Sequence, residues 1–207
     1  MASVTRRSST RANRRATADA KILQATEQLL AGGASFTELG VQRITTEAGV
    51  VRSTFYLHFR DKNELLLRLV EPLADGAYDL ISSTTPEQGL EGVVAAMVQD
   101  MRYYRERRHL LAAVLEVAGY DAVVREFWNS QIQRFADLAE VWLRGEQEVG
   151  RTAPDLEPAT AARVLIWGGF QVLANHVLSG PESQDETVAR EIALLEWYGA
   201  FRRPAQA

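Results

Sequence analysis

The 207-residue chain contains no cysteine and only six prolines. Without cysteine it can form no disulfide scaffold, thiolate metal site or cysteine nucleophile. No apolar run reaches the roughly 18 residues that span a bilayer. The first residues lack the apolar stretch of a secretion signal, so a soluble, cytoplasmic protein is expected, with no membrane partner. Strand signals are missing too: there is no sustained period-two run of β-branched residues and no hairpin turn between such runs. Catalytic signatures are equally scarce. His58, His109 and His176 are scattered, and none sits in a metal-ligand spacing such as HExxH. There is no GxSxG, no P-loop and no glycine-rich dinucleotide fingerprint. Asp100, Glu116, Glu126 and Asp137 have no pair partner visible in the sequence. No catalytic residue, metal or cofactor is expected.

What remains is a foldable chain with a divided charge. Hydrophobic residues make up 46% and the net charge is −4, which excludes a disordered or collagen-like polymer. Residues 1–70 hold eleven Lys and Arg against six acids, while the rest hold twelve Arg against twenty-one acids. A basic head on an acidic body suits a polyanionic partner, although a solvated basic tail would give the same count.

The punctuation predicts an all-α fold of about nine helices. Residues 1–16, rich in Arg, Ser and Thr and without apolar periodicity, read as a disordered basic arm. Helices are then expected near 18–31, 41–48, 52–59, from 61, from 86 to about 107, 109–118, 121–149, from 158 to before Gly180, and 184–201. Gly32-Gly33, Gly49 and Gly119 act as stops, and Pro86 and Pro158 sit in first turns. Asp61-Lys62-Asn63-Glu64 reads as a capping box. Pro72 predicts a kink or break in the fourth helix, because proline removes a backbone donor and crowds the preceding turn.

The second and third helices, joined at Gly49, read as a helix-turn-helix. Ile44, Ala48, Val50, Phe55 and Phe59 would face a core. Arg52, Ser53, Thr54, Tyr56 and His58 would lie on the open face of the second helix of the pair, with Arg43 beside them. Short hydroxyls, a guanidinium and a phenol at this spacing suit a DNA major groove and its phosphates. Lys62, at the start of the fourth helix, would add a phosphate site.

The segments Ile44-Thr45-Thr46-Glu47-Ala48-Gly49-Val50, Thr54-Phe55-Tyr56-Leu57-His58-Phe59 and Asp61-Lys62-Asn63-Glu64-Leu65-Leu66 resemble the DNA-binding consensus of the TetR family of bacterial transcriptional regulators. The resemblance covers about residues 17–70. Three positions depart from it. Thr45 stands where the family usually has Ala, Val51 stands where Ser or Thr caps the recognition helix, and Gly40 stands where Thr or Ser precedes the second helix. The lost cap on Val51 costs about 1 kcal/mol. Trp128, Phe135 and Trp197 are similar to the aromatic-lined subgroup typified by the ethionamide-resistance regulator.

The resemblance implies three parts: the arm at 1–16, a DNA-binding domain at 17–60 and a ligand-binding and dimerisation domain at 61–207. Trp128, Ile132, Phe135, Ala139 and Trp142 form one helical stripe. With Met97, Met101, Tyr104, Trp167, Phe170, Gln171 and Asn175 they could line an aromatic pocket, though each alone could equally be core. The last two long helices each show two apolar faces, which implies burial on two sides. Ile166, Gly169, Leu173, Val177, Ile192 and Leu195 are expected at a homodimer interface. The implied function is a repressor that binds a palindromic double-stranded operator as a homodimer and is released by a small, largely apolar or aromatic effector. An activator, a ligand-independent regulator and a helical adaptor are the alternatives.

Overall fold

The computed structural model describes residues 4–205, with side chains from residue 18 onward. Among the described residues nine α-helices follow one another: α1 (Val4–Ala31), α2 (Val41–Glu47), α3 (Arg52–His58), α4 (Lys62–Ser82), α5 (Gly89–Glu106), α6 (Arg108–Ala118), α7 (Ala122–Glu148), α8 (Pro158–Ser179) and α9 (Asp185–Glu196). Single 3₁₀ turns at Pro86–Gln88 and Glu182–Gln184 lead into α5 and α9. A π turn at Trp197–Phe201 closes α9. None of the described residues is in a strand, so the all-α expectation holds.

Two expectations change at the level of helices. The segment expected as a disordered arm continues α1 back to Val4, while residues 1–3 lie outside the described residues. No glycine or proline interrupts 4–31, and Ala and Arg rank among the better helix formers. Extending a helix that is already packed needs no new nucleus. Of the kink or break expected at Pro72, the break does not occur, and α4 runs on from Lys62 to Ser82. Leu69, Val70, Leu73 and Ala74 are buried around the proline, and Tyr103 Oη donates to the Pro72 carbonyl at 3.3 Å. Packing offsets the one backbone bond that proline removes.

Three apolar clusters organise the chain. Ile22, Leu39, Ile44, Phe55, Phe59 and Leu65 centre the N-terminal head. A large core joins α4 to α8, with Leu66, Leu111, Val114, Trp128 and Val177 at its centre. A third cluster gathers Leu143, Leu156, Trp197 and Phe201 at the end of the body where the chain closes. Capping follows the sequence at the body's entrances: Asp61 accepts from the Glu64 amide at 2.8 Å, and Asp121 accepts from the Val123 and Val124 amides, both at 3.0 Å. Glu64 reaches back one residue further than a capping box requires, to the Arg60 amide.

Candidate functional site

The hairpin of α2 and α3 turns at Gly49, whose φ of 63° is a left-handed conformation that glycine adopts at little cost. Val50 N–H closes the turn onto the Thr45 carbonyl at 3.0 Å. Thr45 is buried at the helix crossing, and its hydroxyl donates back to the Gln42 carbonyl. Phe55 and Phe59 stack in the head's core, with ring centres 5.4 Å apart. Burying those rings turns the opposite side of α3 outward. Arg52, Ser53, Tyr56 and Leu57 are exposed, Thr54 is half-buried, and Arg43 is exposed on α2. Arg52 donates to the Tyr56 hydroxyl at 3.2 Å, so the two form one polar unit. Neither Gly40 nor Val51 supplies a side-chain cap, which leaves the first amides of α2 and α3 free of such a partner.

Two residues expected on this face are turned inward. His58 Nδ1 lies 2.9 Å from Asp19 on α1, and Arg68 of α4 takes the other oxygen of the same carboxylate. His58 therefore ties α3 to α1 and α4. Lys62 Nζ donates to three backbone carbonyls of the α1–α2 loop: Phe36 at 2.9 Å, Thr37 at 3.0 Å and Leu39 at 2.9 Å. An ammonium has three donors, and all three are used, so Lys62 clamps the loop instead of offering a free phosphate contact. Burial lowers its pKa, against an opposing pull from Glu116.

The head is fastened to the body by polar contacts. Glu116 on α6 accepts from the Ser35 hydroxyl at 2.7 Å and from the Thr37 amide at 3.3 Å. Burial would raise the Glu116 carboxyl, but those hydrogen bonds hold it below its ordinary range. Thr37 and Tyr120 share a hydroxyl contact at 2.9 Å, and Asn63 donates to Asp121 at 2.7 Å.

Inside the body lies a cavity of about 100 Å³ between α4, α5, α7, α8 and α9. The whole stripe of α7 predicted from spacing, Trp128, Ile132, Phe135, Ala139 and Trp142, lines it. Met97, Tyr104 and Phe170 also line it as expected. Met101 is buried in the main core, Trp167 packs against that core, and Gln171 and Asn175 are exposed, so these four do not line the cavity. Ile166, Gly169, Leu173 and Ile192, expected at a dimer interface, face the cavity. Val177 is wholly buried in the main core. Of the residues expected at the interface only Leu195 is exposed, at 69%. Apolar period alone cannot say which of two apolar faces looks inward, and the face chosen from sequence is the inner one.

Gly169 explains how α8 and α9 approach. A methyl group there would come within 3.2 Å of Ile192 and 3.3 Å of Glu196 Oε1. The mid-helix glycine therefore makes room for α9 of the same chain. Asp100 and Glu196, both cavity-lining, were not foreseen as a pair. Burial and the nearby Glu196 push Asp100 up to about 8, and burial pushes Glu196 up to about 7.

Residues 22–69 match the family model of bacterial regulatory proteins, tetR family, which covers the end of α1, the hairpin and the first third of α4. Over this segment the chain is similar to the DNA-binding region of tetR-family regulatory proteins. The chain is 28% identical over 138 residues to the HTH-type transcriptional regulator EthR of Mycolicibacterium smegmatis, an alignment covering 65% of this chain and 63% of that relative. Its fold resembles that of SmeT, the repressor of a Stenotrophomonas maltophilia multidrug efflux pump. The TM-score is 0.69 at 19% identity, over 88% of this chain and 89% of SmeT. NalD of Pseudomonas aeruginosa is similar at a TM-score of 0.68 and 20% identity, over 90% and 97% of the two chains. FadR from Bacillus subtilis, solved with stearoyl-CoA, gives 0.68 at 17% identity over 85% and 96%. TetR-family proteins are transcriptional regulators and not enzymes. No helix among the described residues is long and apolar enough to cross a membrane.

A weak signal for the two missed acids did exist. Asp100 falls between Met97, Met101 and Tyr104 on the inner stripe of α5, and Glu196 lies one turn beyond Ile192 on that of α9. An acid within an apolar stripe marks either a pairing or a vacancy for a partner. Ninety-six residues separate the two, so only the fold brings them to one chamber.

Proposed function

We propose that this chain is a TetR-family repressor that binds a palindromic operator as a homodimer and is released when a small molecule fills the cavity. The observation that carries this reading is the outward face of α3. Arg52, Ser53 and Tyr56 stand exposed because Phe55 and Phe59 anchor the opposite face. A seven-residue helix with hydroxyl, phenol and guanidinium groups fits a major groove, where phosphate contacts position it and base contacts specify sequence. The basic balance of the first 70 residues adds salt-sensitive attraction. Dimerisation finds support on α8, α9 and the π turn, where Val164, Val172, Leu178, Leu195 and Tyr198 form exposed apolar positions and Gly168 has open space where a side chain would project. Twofold pairing through that face would present two copies of α3 to one side of a duplex. The ties from Glu116, Tyr120 and Asp121 to the head are the contacts through which a filled cavity would bias the spacing of the two copies.

Gel-shift titration against DNA from upstream of its own gene tests the reading. Binding weakens as salt rises. Tyr56→Phe weakens binding to all sequences alike, by about 1 kcal/mol for one lost hydrogen bond. Arg52→Ala changes which sequences are preferred. Failure to retain any genomic fragment at low salt overturns the proposal.

A further inference from the structure

The cavity holds two carboxyl groups and no counter-ion. Asp100 is 7% exposed and Glu196 9% exposed. None of the residues lining the cavity is Lys, Arg or His. Two other shielded carboxylates of the body, Glu146 and Asp185, do have cations. Glu146 accepts from Arg151 and Arg202, and Asp185 accepts from Arg105 and lies against His176. The basic residues on the helix of Asp100 point elsewhere. Arg105 is taken by Asp185, Arg107 lies over the Tyr103 ring, and Arg102 reaches towards Glu186 at the surface. Asp100 Oδ1 has no hydrogen-bond partner among the described residues, nor has Nε1 of the cavity-lining Trp128. An unpaired acid in an apolar chamber is costly to keep, so its presence calls for a partner that arrives from outside.

The walls limit what that partner can be. Trp128, Phe135, Trp142, Phe170 and Phe201 line the same cavity as the two acids. Aromatic faces attract a cation and cover an apolar body. A bare metal ion would demand more oxygen ligands than two carboxyls provide. We propose that the cavity takes an amphipathic organic cation, an aryl or alkyl amine whose ammonium is held by Asp100 and Glu196 and whose apolar body lies among Trp128, Phe135 and Phe170. The inference rests on the cavity being the effector site and names the class of effector.

Proton balance follows. Burial, and for Asp100 also the nearby Glu196, keeps a share of both acids protonated near neutral pH, Asp100 with a pKa of about 8 and Glu196 of about 7. The entering ammonium favours their ionised forms, so a proton leaves to solvent as each ion pair forms. The other titratable groups around Asp100 are Tyr103 and Tyr104 on its own helix, both raised by burial, and Glu196 from α9. Glu196 and Tyr104 are the other titratable groups on the cavity wall, which α4, α7 and α8 line with uncharged residues. Amine affinity therefore rises with pH.

The test titrates the full chain with 4-phenylbutylamine and with 4-phenyl-1-butanol, which matches it in shape and carries no charge. Tryptophan fluorescence reports binding at about pH 6 and about pH 8.5, a range in which the amine stays charged. The amine is expected to bind at least about tenfold tighter at the higher pH, and the alcohol equally at both. Asp100→Asn and Glu196→Gln, each nearly isosteric, each remove most of the pH dependence and leave the alcohol unaffected. Equal binding of the two probes, amine affinity that is flat or falls with pH, or binding of neither probe overturns the proposal. A parallel gel shift separates the two readings. If the unliganded protein holds no DNA, the repressor reading fails while the direct amine titration still decides this one.

Discussion

At the scale of single residues, what a charged side chain does is decided by its neighbours and not by its type. Lys62 and Arg52 are both cations near the start of a short polar surface. Arg52 stays exposed beside Tyr56, whereas Lys62 is drawn into three carbonyls of the preceding loop. Sequence spacing brings Lys62 to a helix start but cannot show that a loop some 25 residues earlier folds over it. His58 was hidden for the same reason, since Asp19 lies on a different helix. Lys62→Met is expected to lower unfolding stability by about 1–3 kcal/mol by leaving carbonyls unpaired. Chemical denaturation checks this. An unchanged midpoint, together with a salt dependence of DNA binding reduced by about one ion, would return Lys62 to the role of a phosphate contact.

At the scale of elements, the periodic signals were read best and the ambiguous ones worst. The stripe on α7 recurs at helical spacing on one side only, and every member reaches the cavity. On α8 two apolar faces compete, and the inner one carries Ile166, Gly169 and Leu173 while the outer one carries Val164 and Val172. The turn at Gly49 and the missing cap at Val51 were both legible, because each depends on backbone conformation that one residue sets. Val51 already has the extended geometry of an N-cap, with φ −80° and ψ 151°, but its side chain accepts nothing. Val51→Ser is therefore expected to stabilise the head by about 1 kcal/mol. A rise in thermal midpoint measures it, and no change would mean the first amides of α3 are already satisfied by solvent.

At the scale of the whole molecule, the head and the body share one polar seam, and the outward faces of α8 and α9 carry exposed apolar side chains that the proposed second copy would cover. Leu195→Arg combined with Val172→Arg is expected to give a folded monomer in sedimentation, since both side chains are exposed in the single chain. A dimer that survives both changes would place the interface elsewhere. The π turn at Trp197–Phe201 has its own consequence. Its wide hydrogen bond, from Arg202 N–H to the Trp197 carbonyl at 2.7 Å, accommodates one residue more than an α-helical turn would. Losing one of the residues between Trp197 and Phe201 would let the same amide and carbonyl close an ordinary α-helical turn, so what lies beyond would keep its place. Phe201 would stay on the chamber wall, so a single-codon deletion here is expected to be tolerated where an insertion, which the turn has no further room to absorb, would move that ring.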